Sequence, residues 1–331
     1  MLNLPKTVLL TGAAGFIGSR TAELLLKQGV KVIGVDNMNT YYDVRLKDYR
    51  LETLRTYKNF EFYERDISDL RALEYIFQDH KIDAVINLAA RAGVRYSIED
   101  PHVYLSTNTE GTLNLLQMMK KHEIKKMVLA STSSLYAGLP MPFVETAPVN
   151  TPISPYAATK KGAELMAHSY HALFGLDISV VRYFTVFGEA GRPDMSIFRF
   201  IKWIAEGTPM TIFGDGSQSR DFTYVEDIAL GTIAALKPVG YEIFNLGGGE
   251  QPVSLNYIIE KIENLLGKKS MRETKPFHKA DITATWANIE KAEKMLGWKP
   301  KTSVEEGLEK CVKWYLNNES WLKEISCEEG E

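Results

Sequence analysis

Up to residue 185 the chain alternates short β-branched runs with longer stretches whose apolar residues recur every three or four positions. Runs of the first kind at 7–11, 31–35, 60–64, 83–88, 125–131 and 178–184 read as strands. The stretches at 16–28, 46–57, 69–79, 102–121 and 157–174 read as the helices between them. Strand and helix in alternation is the sequence form of βαβ units, and their right-handed crossovers build a doubly wound α/β sheet of parallel strands. Ligands of such sheets sit outside the carboxyl ends of the strands, so the residues just after each run carry the most information. Beyond 185 the alternation loosens, and Gly and Pro clusters at 188–193, 207–216 and 247–252 separate shorter elements. The expected organisation is a first domain over 1–185 and a smaller C-terminal α/β lobe over 186–331, with the chain crossing between the two.

Composition narrows the function. With 45% hydrophobic and 24% charged residues the chain is that of a globular protein. A formal charge of −3 over 331 residues gives no overall attraction to nucleic acid or to an anionic membrane, so an anionic ligand must be held by local cations. No apolar stretch reaches the ~18 residues needed to cross a bilayer, and the N-terminus runs almost directly into the first strand. Two cysteines, Cys311 and Cys327, supply neither a disulfide framework nor a metal-ligand spacing. The expectation is a cytoplasmic protein without a metal site, its acidic end at 328–331 a frayed tail.

The first strand runs into Gly12-Ala13-Ala14-Gly15-Phe16-Ile17-Gly18 and then a helix. Three glycines at a strand-to-helix turn suit a dinucleotide pyrophosphate: one permits the turn, one lets backbone approach the phosphates, and one lets helix and strand pack closely. Here the spacing is one residue longer at its start than the usual dinucleotide fingerprint. The second strand ends at Asp36, where a carboxylate can accept hydrogen bonds from the adenosine ribose hydroxyls. Asp36 would repel a 2′-phosphate, and Asn37 and Met38 offer no arginine to receive one, so the cofactor expected is NAD. Asp66 and Ile67 after the third strand would flank the adenine, and Leu88, Ala89 and Ala90 after the fourth leave room for the cofactor to pass.

Tyr156 and Lys160 stand four apart at the start of a predicted helix, so both side chains project from one face. An ordinary tyrosine titrates near ~10, and poising it near neutrality takes about 4 kcal/mol of differential stabilisation. A neighbouring ammonium and a positive nicotinamide are of the right sign to provide it. Ser131-Thr132-Ser133-Ser134 follows the fifth strand, placing a hydroxyl where it can share a proton with the same substrate oxygen.

Glycine turn, Asp36, hydroxyl cluster and Tyr156/Lys160 in this order resemble the extended short-chain dehydrogenases, in particular their NAD-dependent sugar-nucleotide epimerases and dehydratases. The likeness spans residues 6–317 and implies a Rossmann-type fold whose C-terminal lobe binds the substrate. It implies Tyr156 as catalytic base, Lys160 as the residue that lowers its pKa and holds the nicotinamide ribose, and Thr132 as hydroxyl partner. By the same likeness Asn108 and the Tyr183-Phe184-Thr185 segment lie near the catalytic lysine and nicotinamide. Tyr136-Ala137 departs from the family's usual Tyr-Gly, with Gly138 one residue later.

Related dehydratases carry an acidic pair just after the active-site threonine, and the decarboxylases have a glutamate at the second of those places. This chain has Ser133 and Ser134 there. Oxidation and re-reduction, the logic of epimerisation, is the chemistry that remains. Asn39-Thr40-Tyr41-Tyr42-Asp43, Ala92-Gly93-Val94-Arg95-Tyr96 and Gly191-Arg192-Pro193-Asp194-Met195 resemble the subgroup that inverts C4 of UDP-glucuronate. Arg192 would then meet the anionic sugar or hold a loop over it, although a simple pairing with Asp194 is the competing reading. Thr185, smaller than the asparagine of many neutral-sugar epimerases, would leave room for the carboxylate. The resemblance also implies Arg95, Phe213, Arg220 and Asp281 as contacts for the UDP-sugar, and a homodimer through the helices near 102–121 and 157–174. A neutral-sugar 4-epimerase, a UDP-glucuronate decarboxylase and a non-catalytic NAD-binding sensor stay open as alternatives. The sensor should have degraded the Tyr156/Lys160 pair, and this sequence has not.

Overall fold

The computed structural model describes residues 4–276 and 283–327. Its centre is a seven-stranded, all-parallel sheet. In chain order the first six strands are β1 (Thr7–Thr11), β2 (Lys31–Asp36), β3 (Phe60–Glu64), β4 (Ala84–Asn87), β5 (Lys126–Thr132) and β6 (Asp177–Tyr183). Across the sheet the order runs from Tyr241–Leu246 through β6, β5, β4, β1 and β2 to β3. The chain winds one way from β1 and the other way from β4, so the crevice for a ligand opens at the carboxyl ends of these two neighbours.

Alternation along each strand feeds two cores. Val8 and Leu10 face one side with Val32, Ile86 and Val128, against Ala22, Leu25 and Leu26 of helix α1 (Phe16–Lys27). Leu9 faces the other side with Ile33, Val85 and Leu129, against Leu73, Ile76, Leu115 and Leu116. Burial on both faces is why these strands read as near-continuous apolar runs.

Two features differ from the sequence reading. The seventh strand, Tyr241–Leu246, comes from the stretch read as lobe and returns to pair with β6. Its six residues include Glu242 and Asn245, too short and polar a run to stand out. Asn245 is nevertheless fully buried, accepting a hydrogen bond from the Tyr136 hydroxyl and donating to the Phe143 carbonyl. The helix expected over 102–121 is three pieces: an α-turn at Pro101–Tyr104, a π-helical segment at Leu105–Glu110, and an α-helix at Gly111–Lys121. A π segment has one more residue per turn than its flanks, a defect that apolar periodicity does not report.

The lobe pairs Pro209–Phe213 with Met271–Lys275 in parallel and carries helices Ser196–Glu206, Leu255–Leu266 and Val304–Leu322. Phe187, Ile201, Ile258 and Leu308 of this part share one apolar cluster with Val8 and Ile86 of the sheet. The last helix opens with a Ser303/Glu306 capping box, and at its other end Lys202 donates to the Leu322 and Lys323 carbonyls. Among the described residues no helix is long and apolar enough to cross a membrane.

Candidate active site

A cavity of about 590 Å³ lies along the carboxyl ends of the strands and continues beneath the lobe. Its floor at one end is the glycine turn. Gly12 has φ +71°, and a side chain there would put a Cβ 2.8 Å from the Ala89 nitrogen. A Cβ on Gly18 would lie 1.9 Å from the Gly12 carbonyl oxygen, so only hydrogen lets α1 start this close to β1. The turn is thus a cradle of bare backbone whose N–H groups at the start of α1 have no capping side chain, with Gly15, Phe16 and Ile17 on the cavity wall. That is the donor set a pyrophosphate requires, and the residues present fit a dinucleotide.

Asp36 sits at the end of β2, buried, its carboxylate accepting from the backbone nitrogens of Ala14 (3.2 Å) and Met38 (3.0 Å). These two bonds cap the turn and leave acceptor directions over, because two carboxylate oxygens offer about four. Lys47 stands 3.3 Å from it, a buried cation that the sequence reading passed over. Asn37 donates to Asp66 at 2.7 Å. Burial pushes the Asp66 carboxyl up, but hydrogen bonds from Ser68 and Asn37 and the Arg91 charge hold it below the usual range. Ile67, Leu88, Ala89 and Ala90 line the same end.

Asn108, expected near the catalytic lysine and the nicotinamide, stands beside Thr159, the residue before that lysine. It does not line the cavity but is buried behind it, accepting from the Arg91 nitrogen at 2.9 Å and donating to the Arg91 carbonyl and to Thr159. It braces the segment after β4 against the helix that carries Tyr156. The π segment sets Asn108 in this position, so its approach to the cofactor end is through Arg91 and not by its own amide.

Tyr156 and Lys160 occupy the first turns of the helix Pro155–Phe174, which starts with Pro155 at its first position and Ser154 as cap. Tyr156 faces Thr132, the last residue of β5, across the cavity wall. Burial pushes the Tyr156 phenol up, while the polar Thr132 hydroxyl and the Arg192 charge pull it down. The Arg192 charge is thus one that the sequence reading did not connect with Tyr156. Lys160 is nearly inaccessible, and burial lowers its pKa to about 8 against the opposing charge of Glu164. Thr132 also accepts from the Ser134 nitrogen at 3.1 Å and so caps the turn Ser133–Tyr136.

Below this pair lies a buried ion pair that the sequence reading missed. Glu164, one turn beyond Lys160, accepts from Nε and Nη2 along one edge of Arg182 from β6 at 2.9 and 2.8 Å and from the Ser131 hydroxyl at 2.7 Å. A charge inside the run Val180-Val181-Arg182 was the available signal. The network ties β5, β6 and the catalytic helix together directly beneath Thr132.

The other end of the cavity is lined by Ser133, Ser134, Thr185, Arg192, Phe213 and Arg220. Arg192 binds Asp194 through Nε (3.0 Å) and Nη2, and its guanidinium lies 5.5 Å from the centre of the Tyr41 ring. The Asp194 pairing is therefore present, yet it uses one edge of the fork and leaves the Nη1 amine for a second anion. Arg95 stacks 4.2 Å from the Phe213 ring, joining residues far apart in the chain. Tyr183 lines the cavity, but its hydroxyl is committed to Thr232 at 2.7 Å, so its ring and backbone are what it can offer. Asp281 lies outside the described residues.

The profile described as GDP-mannose 4,6-dehydratase matches residues 9–311. UDP-glucuronate 4-epimerase of Thermodesulfobacterium geofontis is 62% identical over 96% of this chain and 98% of its own length. The chain belongs to the extended short-chain dehydrogenases, among the sugar-nucleotide epimerases. Its fold superimposes on that of Bacillus cereus UDP-glucuronic acid 4-epimerase, solved with UDP-glucuronic acid and NAD, at TM-score 0.87 and 37% identity, covering 94% and 99% of the two chains. Thermotoga maritima UDP-glucose 4-epimerase, solved with UDP-glucose, follows at TM-score 0.85 and 32% identity, covering 94% and 99%.

For this extended short-chain dehydrogenase the placement of acids separates elimination from epimerisation. Among the described residues the carboxylates lining the cavity are Asp36, Asp66 and Asp194. Asp36 faces Lys47 at the cofactor end, Asp66 accepts from Asn37, and Asp194 is held well below the usual carboxylate range by Arg192 against the upward push of burial. None is a proton donor beside Thr132 and Tyr156.

Proposed function

We infer that this protein is an NAD-dependent UDP-glucuronate 4-epimerase, interconverting UDP-glucuronate and UDP-galacturonate. The observation that carries the reading is the meeting of Tyr156, Thr132 and the cation of Arg192 in one cavity, whose described carboxylates, Asp36, Asp66 and Asp194, are all engaged elsewhere. The 62% identical relative bears the same name, and a structural neighbour was solved with this sugar nucleotide and NAD.

In this reading Gly12, Gly15, Phe16, Ile17 and Gly18 hold the pyrophosphate, Asp36 and Asn37 the adenosine ribose, and Asp66 and Ile67 flank the adenine. Leu88, Ala89, Ala90 and Tyr183 line the passage to the nicotinamide, whose ribose Lys160 binds. NAD supplies a hydride acceptor and donor that is regenerated within each turnover. Tyr156 takes the proton of the C4 hydroxyl as C4 is oxidised and returns it to the opposite alcohol as C4 is reduced. Thr132 shares that proton and keeps the phenol aimed at the substrate oxygen. Arg95, Phe213, Arg220 and Asp281 hold the UDP part, the division of labour between residues 1–185 and 186–331.

The intermediate is a 4-keto uronate, a β-keto acid prone to lose CO2, so its carboxylate must be held where cleavage is disfavoured. Ser133, Ser134, Thr185 and Arg192 perform that task. A charged hydrogen bond is worth ~1.5–3 kcal/mol, so Arg192→Ala should lower kcat/KM for UDP-glucuronate roughly 10- to 150-fold and weaken UDP-glucose binding far less. Equal losses for the two sugars would assign Arg192 to the loop or the diphosphate and remove the uronate reading.

The reading extends to a cytoplasmic homodimer. Leu165 and Leu173 are eight residues apart on the catalytic helix and 56% and 72% exposed, and Leu105 of the neighbouring π segment is 54% exposed. Light scattering at micromolar concentration should give twice the mass of the 37.3 kDa chain, and a monomer there would exclude the dimer.

A further inference from the structure

We infer that Arg50, which does not itself line the cavity, is a positioning residue that sets the Arg192 loop for a carboxylated sugar. It lies on the helix Arg45–Arg55, whose buried positions are Leu46, Lys47, Arg50, Leu51 and Leu54. Arg50 thus occupies the stripe that normally carries apolar side chains. It is 4% exposed, and every hydrogen bond it makes goes to a neutral oxygen. Nε and Nη2 donate to the Ala190 carbonyl at 3.0 and 2.7 Å, and Nη2 also to the Gly191 carbonyl at 3.3 Å. Nη1 donates to the Tyr42 hydroxyl at 2.7 Å and to the Ala14 carbonyl at 3.1 Å. A buried guanidinium without a carboxylate partner is costly, and this one holds three segments of backbone and ring that are remote in sequence.

The segment it grips most firmly is strained. Ala190 has φ +51°, in the left-handed region that a residue with a Cβ rarely adopts. Two residues later comes Arg192, whose guanidinium rests on Tyr41, next in sequence to the Tyr42 that Arg50 also holds. Both sides of the Arg192 position, the loop backbone and the tyrosine pair, are therefore fixed by one side chain. Without the clamp Ala190 is free to relax to negative φ, which re-aims the backbone that carries Arg192. The loss should fall on ligands that need the Arg192 charge, and this inference rests on Arg192 meeting the uronate carboxylate.

The test is calorimetric titration of NAD-saturated enzyme with UDP-glucuronate and with UDP-glucose. Arg50→Lys keeps the charge but loses the fork, and it should weaken UDP-glucuronate at least about 10-fold while changing UDP-glucose less than about 3-fold. Adding Ala190→Gly should restore most of the UDP-glucuronate affinity, because glycine adopts φ near +51° unaided. Arg50→Gln, which leaves no unpaired buried charge, replaces the lysine variant if that one does not fold. Equal weakening of both sugars, no weakening of UDP-glucuronate, or no recovery on adding Ala190→Gly would each overturn the assignment. Arg192→Ala in the same titrations keeps the two readings apart. If it weakens both sugars alike, the uronate pocket itself is wrong. If it is selective while Arg50→Lys is not, only the role of Arg50 falls.

Discussion

The two ends of the cavity are built in different ways. The cofactor end is backbone: a contiguous turn at 12–18 and one carboxylate at the tip of the next strand, with glycine hydrogens leaving the space. The sugar end is side chains, Arg95 on Phe213 and Arg192 on Tyr41, brought together from distant parts of the sequence and held by Arg50, Asp194 and the lobe. A backbone cradle accepts any nucleotide diphosphate of the right length, whereas a side-chain pocket can be retuned one residue at a time. Structures that superimpose on this fold differ in the sugar they are named for.

Tyr156 stands where the two ends meet, and its loss should give the largest effect. Tyr156→Phe keeps the ring and removes the hydroxyl, so turnover should fall by about 10²–10⁴-fold with bound NAD unchanged. Product analysis together with the dinucleotide content of the purified protein checks both halves. Near-normal turnover would remove Tyr156 from the mechanism.

Gly18→Ala attacks the backbone end alone. A Cβ 1.9 Å from the Gly12 carbonyl oxygen forces the turn and α1 apart. Overpacking of this kind costs ~1–3 kcal/mol, so NAD should be held about 5- to 150-fold more weakly. Once NAD is saturating, the preference between UDP-glucuronate and UDP-glucose should be unchanged. A shift in that preference would mean that the two ends are not separable.

A smaller effect, in stability, comes from Lys160. Its folded pKa of about 8 lies below the usual lysine value, so between pH 8 and ~10.4 the unfolded chain binds more protons than the folded one. Stability from this group therefore rises with pH across that window, and below pH 8 the folded protein carries the whole cost of the buried ammonium, about 3 kcal/mol. Lys160→Met, of similar size and uncharged, should be inactive yet more stable than wild type at pH 7 when both are stripped of NAD. The advantage should vanish toward pH 10. Thermal unfolding of both proteins across pH 7–10 measures it, and parallel curves would contradict the assignment.

The same division explains what could be read from the chain beforehand. Six strands, the glycine turn and Asp36 at a strand tip were legible from local spacing, and the Tyr156/Lys160 pair from its spacing together with the order of the motifs around it. Lys47 and Arg50 were not, although two cations on the buried stripe of a helix were a usable clue. Their partners, Asp36, Ala14 and Ala190, become neighbours only in the fold. Asn108 was placed near the catalytic lysine by resemblance, and its bonds to Arg91 and Thr159 from a π segment are not written in the apolar spacing. Arg192 was readable as a cation at the right edge of the sheet. Its bond to Asp194 and its seat on Tyr41 depend on the loop that Arg50 holds.

The central claim, that a hydride leaves C4 and returns to the opposite face of the same sugar, is tested most directly by the fate of an isotope. UDP-glucuronate deuterated at C4 should be converted by the NAD-loaded enzyme to UDP-galacturonate that keeps its deuterium at C4, with no label released to water and no CO2 formed. UDP-galacturonate that has exchanged its C4 label with solvent, or a pentose product formed with loss of CO2, would contradict the account.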